Sequence, residues 1–139
     1  MQKTSPLSEV LIRDIEAKRD WVKNQYAPDS LYKYNTVEGK LVLLNTILKS
    51  NWIEPTETLK LQCLGITLGD IFVQDMNFEW IEVEDEYGTD PALQLPGTSI
   101  LIFPQTMISK RIENGEVVNI YEFYEGLKTR ILEIRQKEL

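Results

Sequence analysis

Leu61-Gln62-Cys63-Leu64-Gly65-Ile66-Thr67-Leu68-Gly69-Asp70-Ile71-Phe72-Val73, followed after a short break by Phe78-Glu79-Trp80-Ile81-Glu82-Val83-Glu84, contains the change of period that decides the fold. In the first stretch Leu61, Leu64, Leu68, Ile71 and Phe72 recur at spacings of three and four, which lines them along one side of a helix opened by Pro55-Thr56-Glu57. From Phe78 onward Phe78, Trp80, Ile81 and Val83 alternate, imperfectly, with Glu79, Glu82 and Glu84, the pattern of a strand with one wet face. Gly65 and Gly69 stand four apart on the helix, where they let another element approach its backbone closely. A membrane dimer face is the competing reading of that pair, and it fails because the apolar run is shorter than the roughly 20 residues a span needs and contains Asp70.

Toward the C-terminus, Glu84 to Gly97 reads as a loop rich in acid, Gly and Pro, and Thr98 to Phe103 as a more fully buried strand closed by Pro104. Asn114-Gly115 suits a hairpin turn, yet Met107, Ile108, Arg111 and Ile112 suit a short helix stopped by glycine, and the helix is the better reading of Thr106 to Gly115. Asn119 is placed to cap a last helix through Ile120, Phe123, Tyr124, Leu127, Ile131 and Ile134 to about Lys137. Toward the N-terminus, Ser5 and Pro6 fit an N-cap and first helical residue for a helix from about Pro6 to Gln25. Ala27-Pro28-Asp29-Ser30 supplies a turn, and Val37, Leu41, Leu44, Ile47 and Leu48 mark a helix ending near Ser50-Asn51. The expected architecture is one α+β domain over residues 1–139, with N-terminal helices packed on a small antiparallel sheet and a C-terminal helix.

The 42% hydrophobic and 27% charged content is that of a globular chain and excludes the composition of disorder. At 139 residues one domain buries roughly two thirds of its unfolded surface, enough for a real core. Glu9 and Arg13 interrupt any uncharged N-terminal run that could serve as a signal peptide, and Cys63 alone cannot form an intrachain disulfide, so a cytoplasmic location is expected. The net charge of −7 is concentrated: Asp70, Asp75, Glu79, Glu82, Glu84, Asp85, Glu86 and Asp90 lie between Lys60 and Lys110 without one base. That sign argues against nucleic acid, which selects basic patches.

The chain has no histidine, which removes the usual general base, the commonest metal ligand and every Ser-His or Cys-His pair. Cys63, beside Leu64 in an apolar helix, reads as a buried thiol, and zinc has no ligand set. Glu79, Glu82, Glu84, Glu86 and Asp90 could supply paired carboxylates for glycoside hydrolysis, but a solvated strand face and an acidic loop explain them more simply. Calcium would suit Glu84-Asp85-Glu86-Tyr87-Gly88-Thr89-Asp90 chemically, although glycine falls at the fifth rather than the sixth place of an EF-hand register and Leu95 at the twelfth. No phosphate-cradling glycine motif occurs. No catalytic residue, metal ligand or cofactor is assigned. Lys110-Arg111 reads either as an exposed ionic site or, preferably, as a partner of the acidic loop within the molecule. Trp21, Trp52 and Trp80 read as core or rim packing rather than a binding platform.

The segments Leu61 to Asp70, Glu79-Trp80-Ile81, Asp85 to Leu93, Gly97-Thr98 and Phe103-Pro104, extended by Met107 to Glu113 and Gly115-Glu116, resemble a bacterial family known as domain of unknown function 3806. The likeness covers about residues 40–125 and is made of packing and turn residues, so it implies a fold rather than a reaction. Two functions from different classes follow. The first is a non-enzymatic, acidic interaction module, in one form an immunity protein neutralising a basic toxin, with Glu82, Glu84, Asp85, Glu86, Asp90, Lys110 and Arg111 as the partner-binding set. For that role Glu82, Glu84, Glu86 and Asp90 are expected to stand exposed on one side of the molecule. The second is a ligand- or cation-binding domain or a carboxylate-based enzyme. Convergent acids in a deep pocket would favour it, and a convex acidic surface with an aromatic anchor would favour the first.

Overall fold

The computed structural model describes residues 2–138. Strand β1 (Lys3–Pro6) leads to helix α1 (Glu9–Lys23), and a 3-10 segment (Pro28–Asn35) connects α1 to α2 (Val37–Ser50) and then α3 (Thr58–Met76). Strands β2 (Glu79–Asp85), β3 (Gly88–Gln94) and β4 (Leu101–Ile102) follow, then a 3-10 turn (Pro104–Thr106), α4 (Met107–Glu113) and α5 (Ile120–Glu138). The strands form one antiparallel sheet in the order β1-β2-β3-β4, giving the α+β arrangement of helices on a small sheet with a C-terminal helix. Asn119 Oδ1 accepts from the Glu122 N–H at 3.2 Å and caps α5, and the segment after Thr106 is helical, as its spacing implies.

Three sequence expectations fail. Ser5-Pro6 does not open a helix: both lie in β1, with Ser5 opposite Glu82 and Pro6 opposite Ile81, and Ser8 caps α1 by accepting from the Leu11 N–H at 3.4 Å. A strand partner far along the chain outweighs a local capping signal there. Glu84 to Gly97 is not a loop, because Gly88–Gln94 is the middle strand β3. Pro91 is tolerated in it because β4 stands opposite only Leu93 and Gln94, leaving the outer side of β3 open at Pro91. The strand expected over Thr98 to Phe103 shrinks to Leu101–Ile102, since the Thr98 hydroxyl donates to the Leu95 carbonyl at 2.8 Å and accepts from the Ile100 N–H at 3.1 Å, forming a turn. The turn expected at Ala27–Ser30 is the start of the 3-10 segment, and α3 begins at Thr58 after a turn at Pro55-Thr56.

Helix α3 is buried along most of its length, from Leu61 through Leu64, Leu68, Ile71 and Phe72 to Met76. The pleat of the sheet divides its side chains cleanly. Phe78, Leu93, Leu95 and Ile102, with half-buried Trp80, join the main core, while Ile81, Val83 and Ala92 form a smaller cluster with Leu101 on the other face. The glycines let the sheet and the following 3-10 turn approach α3 closely. A Cβ on Gly69 would stand 2.5 Å from Cη2 of Trp80, and one on Gly65 would stand 2.5 Å from the Pro104 carbonyl oxygen. At the C-terminal end of α3, Tyr124 packs its ring on Phe72 (centroids 4.9 Å apart) and donates its hydroxyl to Asp75, which also receives Lys128 Nζ at 2.9 Å. This arrangement binds α5 to α3.

Gly65→Ala and Gly69→Ala are expected to destabilise the fold by about 1–3 kcal/mol each through overpacking. Gly126→Ala, on α5 with nothing near its Cβ position, is expected to stabilise it by about 0.5–1 kcal/mol. Urea titration of the three variants checks the contrast, and equal effects at all three would refute the close-approach reading. A pH effect follows from Asp75, whose carboxyl is held below its ordinary value of 3.8 by the Tyr124 hydroxyl first and Lys128 second. A depressed carboxyl contributes stability above its unfolded-state value and loses it as pH falls through its folded value. Between neutral pH and about pH 3 the native protein should therefore lose more melting temperature than Asp75→Asn.

Candidate functional site

The most concentrated charge lies on the β2–β3 hairpin. Asp85 pairs with Gly88, leaving Glu86 and Tyr87 as the turn, and Gly88 at φ 130° takes a conformation that side chains disfavour. Asp85 Oδ1 accepts from the Tyr87 N–H at 2.8 Å, so a side chain closes the turn locally. Glu84, Asp85, Glu86 and Asp90 are exposed, and among the described residues no ion pair reaches any of them.

These acids do not share one face, which corrects the sequence expectation. Glu82 and Glu84 are in phase with Trp80 and project from the helix-facing side of the sheet. Asp90, opposite Val83, projects from the other side, and Glu86 stands in the turn. What unites them is the hairpin end rather than a face. Glu82 is also only half-exposed, and its Oε1 accepts from the Ser8 N–H at 2.7 Å, so it serves the start of α1. The preferred pairing of Lys110 and Arg111 with the acidic hairpin is likewise wrong. Arg111 approaches Glu116 at 3.7 Å and stacks over Phe123 at 4.5 Å, both near its own end of α4, and neither base contacts the hairpin acids. Arg111 finds its contacts close by, and Lys110 makes no ion pair among the described residues.

Sequence reasoning missed Tyr87. It is 90% exposed at the tip of the hairpin, and the available signal was an aromatic inside an acid run next to a turn glycine. Trp52 is exposed as well, whereas Trp21 and Trp80 are half-buried against the core. The core-or-rim reading of the tryptophans therefore holds for Trp21 and Trp80, and Trp52 lies at the surface.

The interior carries a second polar concentration. Asp70 on α3 accepts from Arg19 Nε at 2.6 Å and Nη2 at 2.9 Å, from the Tyr34 hydroxyl at 2.8 Å and from Trp80 Nε1 at 3.1 Å. Tyr34 also meets Thr67 Oγ1 at 3.1 Å, and its phenol is pushed up by burial first and by the Asp70 carboxylate second, so it remains a donor. Lys40 donates to Gln74 Oε1 at 2.5 Å, and burial lowers its ammonium. Every polar atom of this cluster that is cut off from solvent has a partner, which makes it a structural clasp. Cys63 is buried and its thiol is pushed up by that burial, which disfavours the nucleophilic thiolate. Among the described residues, no three His, Cys, Asp or Glu side chains are grouped to hold a metal ion, and no helix is long and apolar enough to cross a membrane.

A crystal structure of a protein from Bacteroides thetaiotaomicron VPI-5482 is similar to this chain, with a TM-score of 0.74 and 20% sequence identity over 91% of this chain and 47% of that one. At this identity the likeness shows a shared fold, and this chain spans about half the length of that protein. No curated protein matches the chain. The family model for the domain of unknown function 3806 matches residues 40–124, a stretch running from α2 through the sheet to Tyr124 on α5, and the chain belongs to that family.

Proposed function

We propose that this chain is a protein-interaction module rather than an enzyme, and that it docks on a basic partner protein through its β2–β3 hairpin. Its specific form on this reading is a cytoplasmic immunity protein that neutralises a basic toxin. One observation carries the proposal: an aromatic ring 90% exposed, Tyr87, sits at the tip of a turn surrounded by Glu84, Asp85, Glu86 and Asp90. The turn is closed by Asp85 and by the freedom of Gly88, so the fold makes no use of the Tyr87 ring. A tyrosine loses little conformational entropy on docking and offers both a stacking face for an arginine and a hydroxyl. The surrounding carboxylates supply the long-range field that speeds encounter with a basic surface. Lys110 and Arg111 lie apart on α4 and are not part of this surface.

Glu84→Gln/Glu86→Gln/Asp90→Asn, with Glu82 left intact, should change folding stability by no more than about 0.5 kcal/mol, because none of the three supports the fold. The same variant should associate about tenfold more slowly at low salt with the partner captured from the native bacterium, and the deficit should shrink as salt rises. Tyr87→Ala should instead speed dissociation, at a cost above about 1 kcal/mol. Melting curves and surface-plasmon kinetics at two salt concentrations check both, and an unchanged low-salt association rate for the triple variant rules the hairpin out.

A further inference from the structure

We propose that the groove between the C-terminal ends of α2 and α4 binds a small amphipathic monocation, an apolar body carrying one ammonium group. The groove has a volume of about 380 Å³, within the range of small-molecule pockets. Its lining is largely aliphatic, with Ile47, Leu48, Ile53, Leu61, Ile112 and Val118. Among the described residues, its charged lining residues are Glu54 and Glu116, and no Lys or Arg lines it. Charge complementarity therefore names the occupant: the aliphatic lining suits an apolar body, and Glu54 and Glu116 suit a cation.

The electrostatics of the backbone point the same way. Helix α2 ends at Asn51, which lines the groove in the left-handed conformation (φ 55°), so the negative end of a 14-residue helix dipole lies against the cavity. Of the bases nearby, Lys60 pairs with Glu57 on its own turn and Arg111 is stacked on Phe123, while Lys49, in the last turn of α2, offsets part of the helix dipole but does not line the groove. The Arg111–Glu116 contact is long, at 3.7 Å, with both side chains about half exposed, so it leaves most of the acceptor capacity of the Glu116 carboxylate unused. Asn51 and Gly115, both with positive φ (55° and 81°), are turn residues that line the groove. This proposal is independent of the hairpin, whose acids line no part of the groove.

Titration of the ¹⁵N-labelled protein with n-octylammonium, octan-1-ol and octanoate, read by amide shifts, tests the proposal. Octylammonium should shift Asn51, Ile53, Gly115 and Val117 saturably, octanol should shift the same amides with about threefold to tenfold weaker affinity, and octanoate should be weakest. In Glu54→Gln/Glu116→Gln, two exposed positions whose change should not unfold the chain, the ammonium advantage over octanol should vanish while octanol binding persists. Octanoate binding as tightly as octylammonium would overturn the proposal. So would ammonium shifts confined to the acidic hairpin, or no shift at the groove amides of a protein with a dispersed, folded spectrum.

Discussion

One carboxylate, Asp70, holds the layers of this molecule in register. It projects from α3 and receives α1 through Arg19, the 3-10 segment through Tyr34 and β2 through Trp80. A carboxylate largely withdrawn from water is costly unless its lone pairs are occupied and its charge is matched, and here four donated hydrogen bonds and a guanidinium meet both conditions. Removing Arg19 would leave the part-buried carboxylate without its counter-charge, and removing Tyr34 or Trp80 would leave it short of a donor, so the three segments are constrained together rather than singly. The contact between Trp80 and the Gly69 surface of α3 belongs to the same constraint, because the indole can reach Asp70 only if the helix presents no Cβ in its path. Burial keeps the Tyr34 hydroxyl protonated, and Lys23 and Lys40 near its ring add positive charge around the carboxylate.

What was legible in the sequence follows from how local each cause is. Helices α2, α3 and α5 declare themselves because their apolar residues repeat along a single segment, and the Asn119 cap acts within one turn. β1 was illegible because Lys3–Pro6 has no strand pattern of its own, and its state is set by pairing with Glu84 to Ile81. β3 was hidden by Gly88, Asp90 and Pro91, residues that weaken a strand in isolation and are tolerated here because β2 pairs along the full strand. The acid run was visible as charge, but its division between two faces appears only once Glu82 and Pro91 are known to be opposite one another. Asp70 showed the reverse problem: in sequence it was a polar residue interrupting an apolar helix, with nothing nearby to identify Arg19, Tyr34 or Trp80 as its partners.

The sheet resists growth at its outer positions. β1 is four residues long and carries Lys3 and Pro6, and the open stretch of β3 carries Pro91, which has no N–H to donate to an added strand. Strand addition is therefore a poor route to a partner for this fold, and the proposed docking relies instead on side chains at the end of the hairpin. There the acids repel one another without being drawn into the core, since the turn relies on Asp85 and Gly88 rather than on any base.

Glu82 marks the point where that independence stops. It belongs to the acidic run by sequence, yet its carboxylate holds the Ser8 N–H, in the residue that caps α1. α1 in turn carries Arg19 to Asp70. A charge at Glu82 thus acts on the helix start and, through α1, on the clasp, whereas charges at Glu84, Glu86 and Asp90 end in solvent. The acidic segment is consequently two things physically: an inner residue that serves the fold and an outer group free to serve a partner. The boundary between them lies between Glu82 and Glu84, where β2 passes beyond the reach of α1.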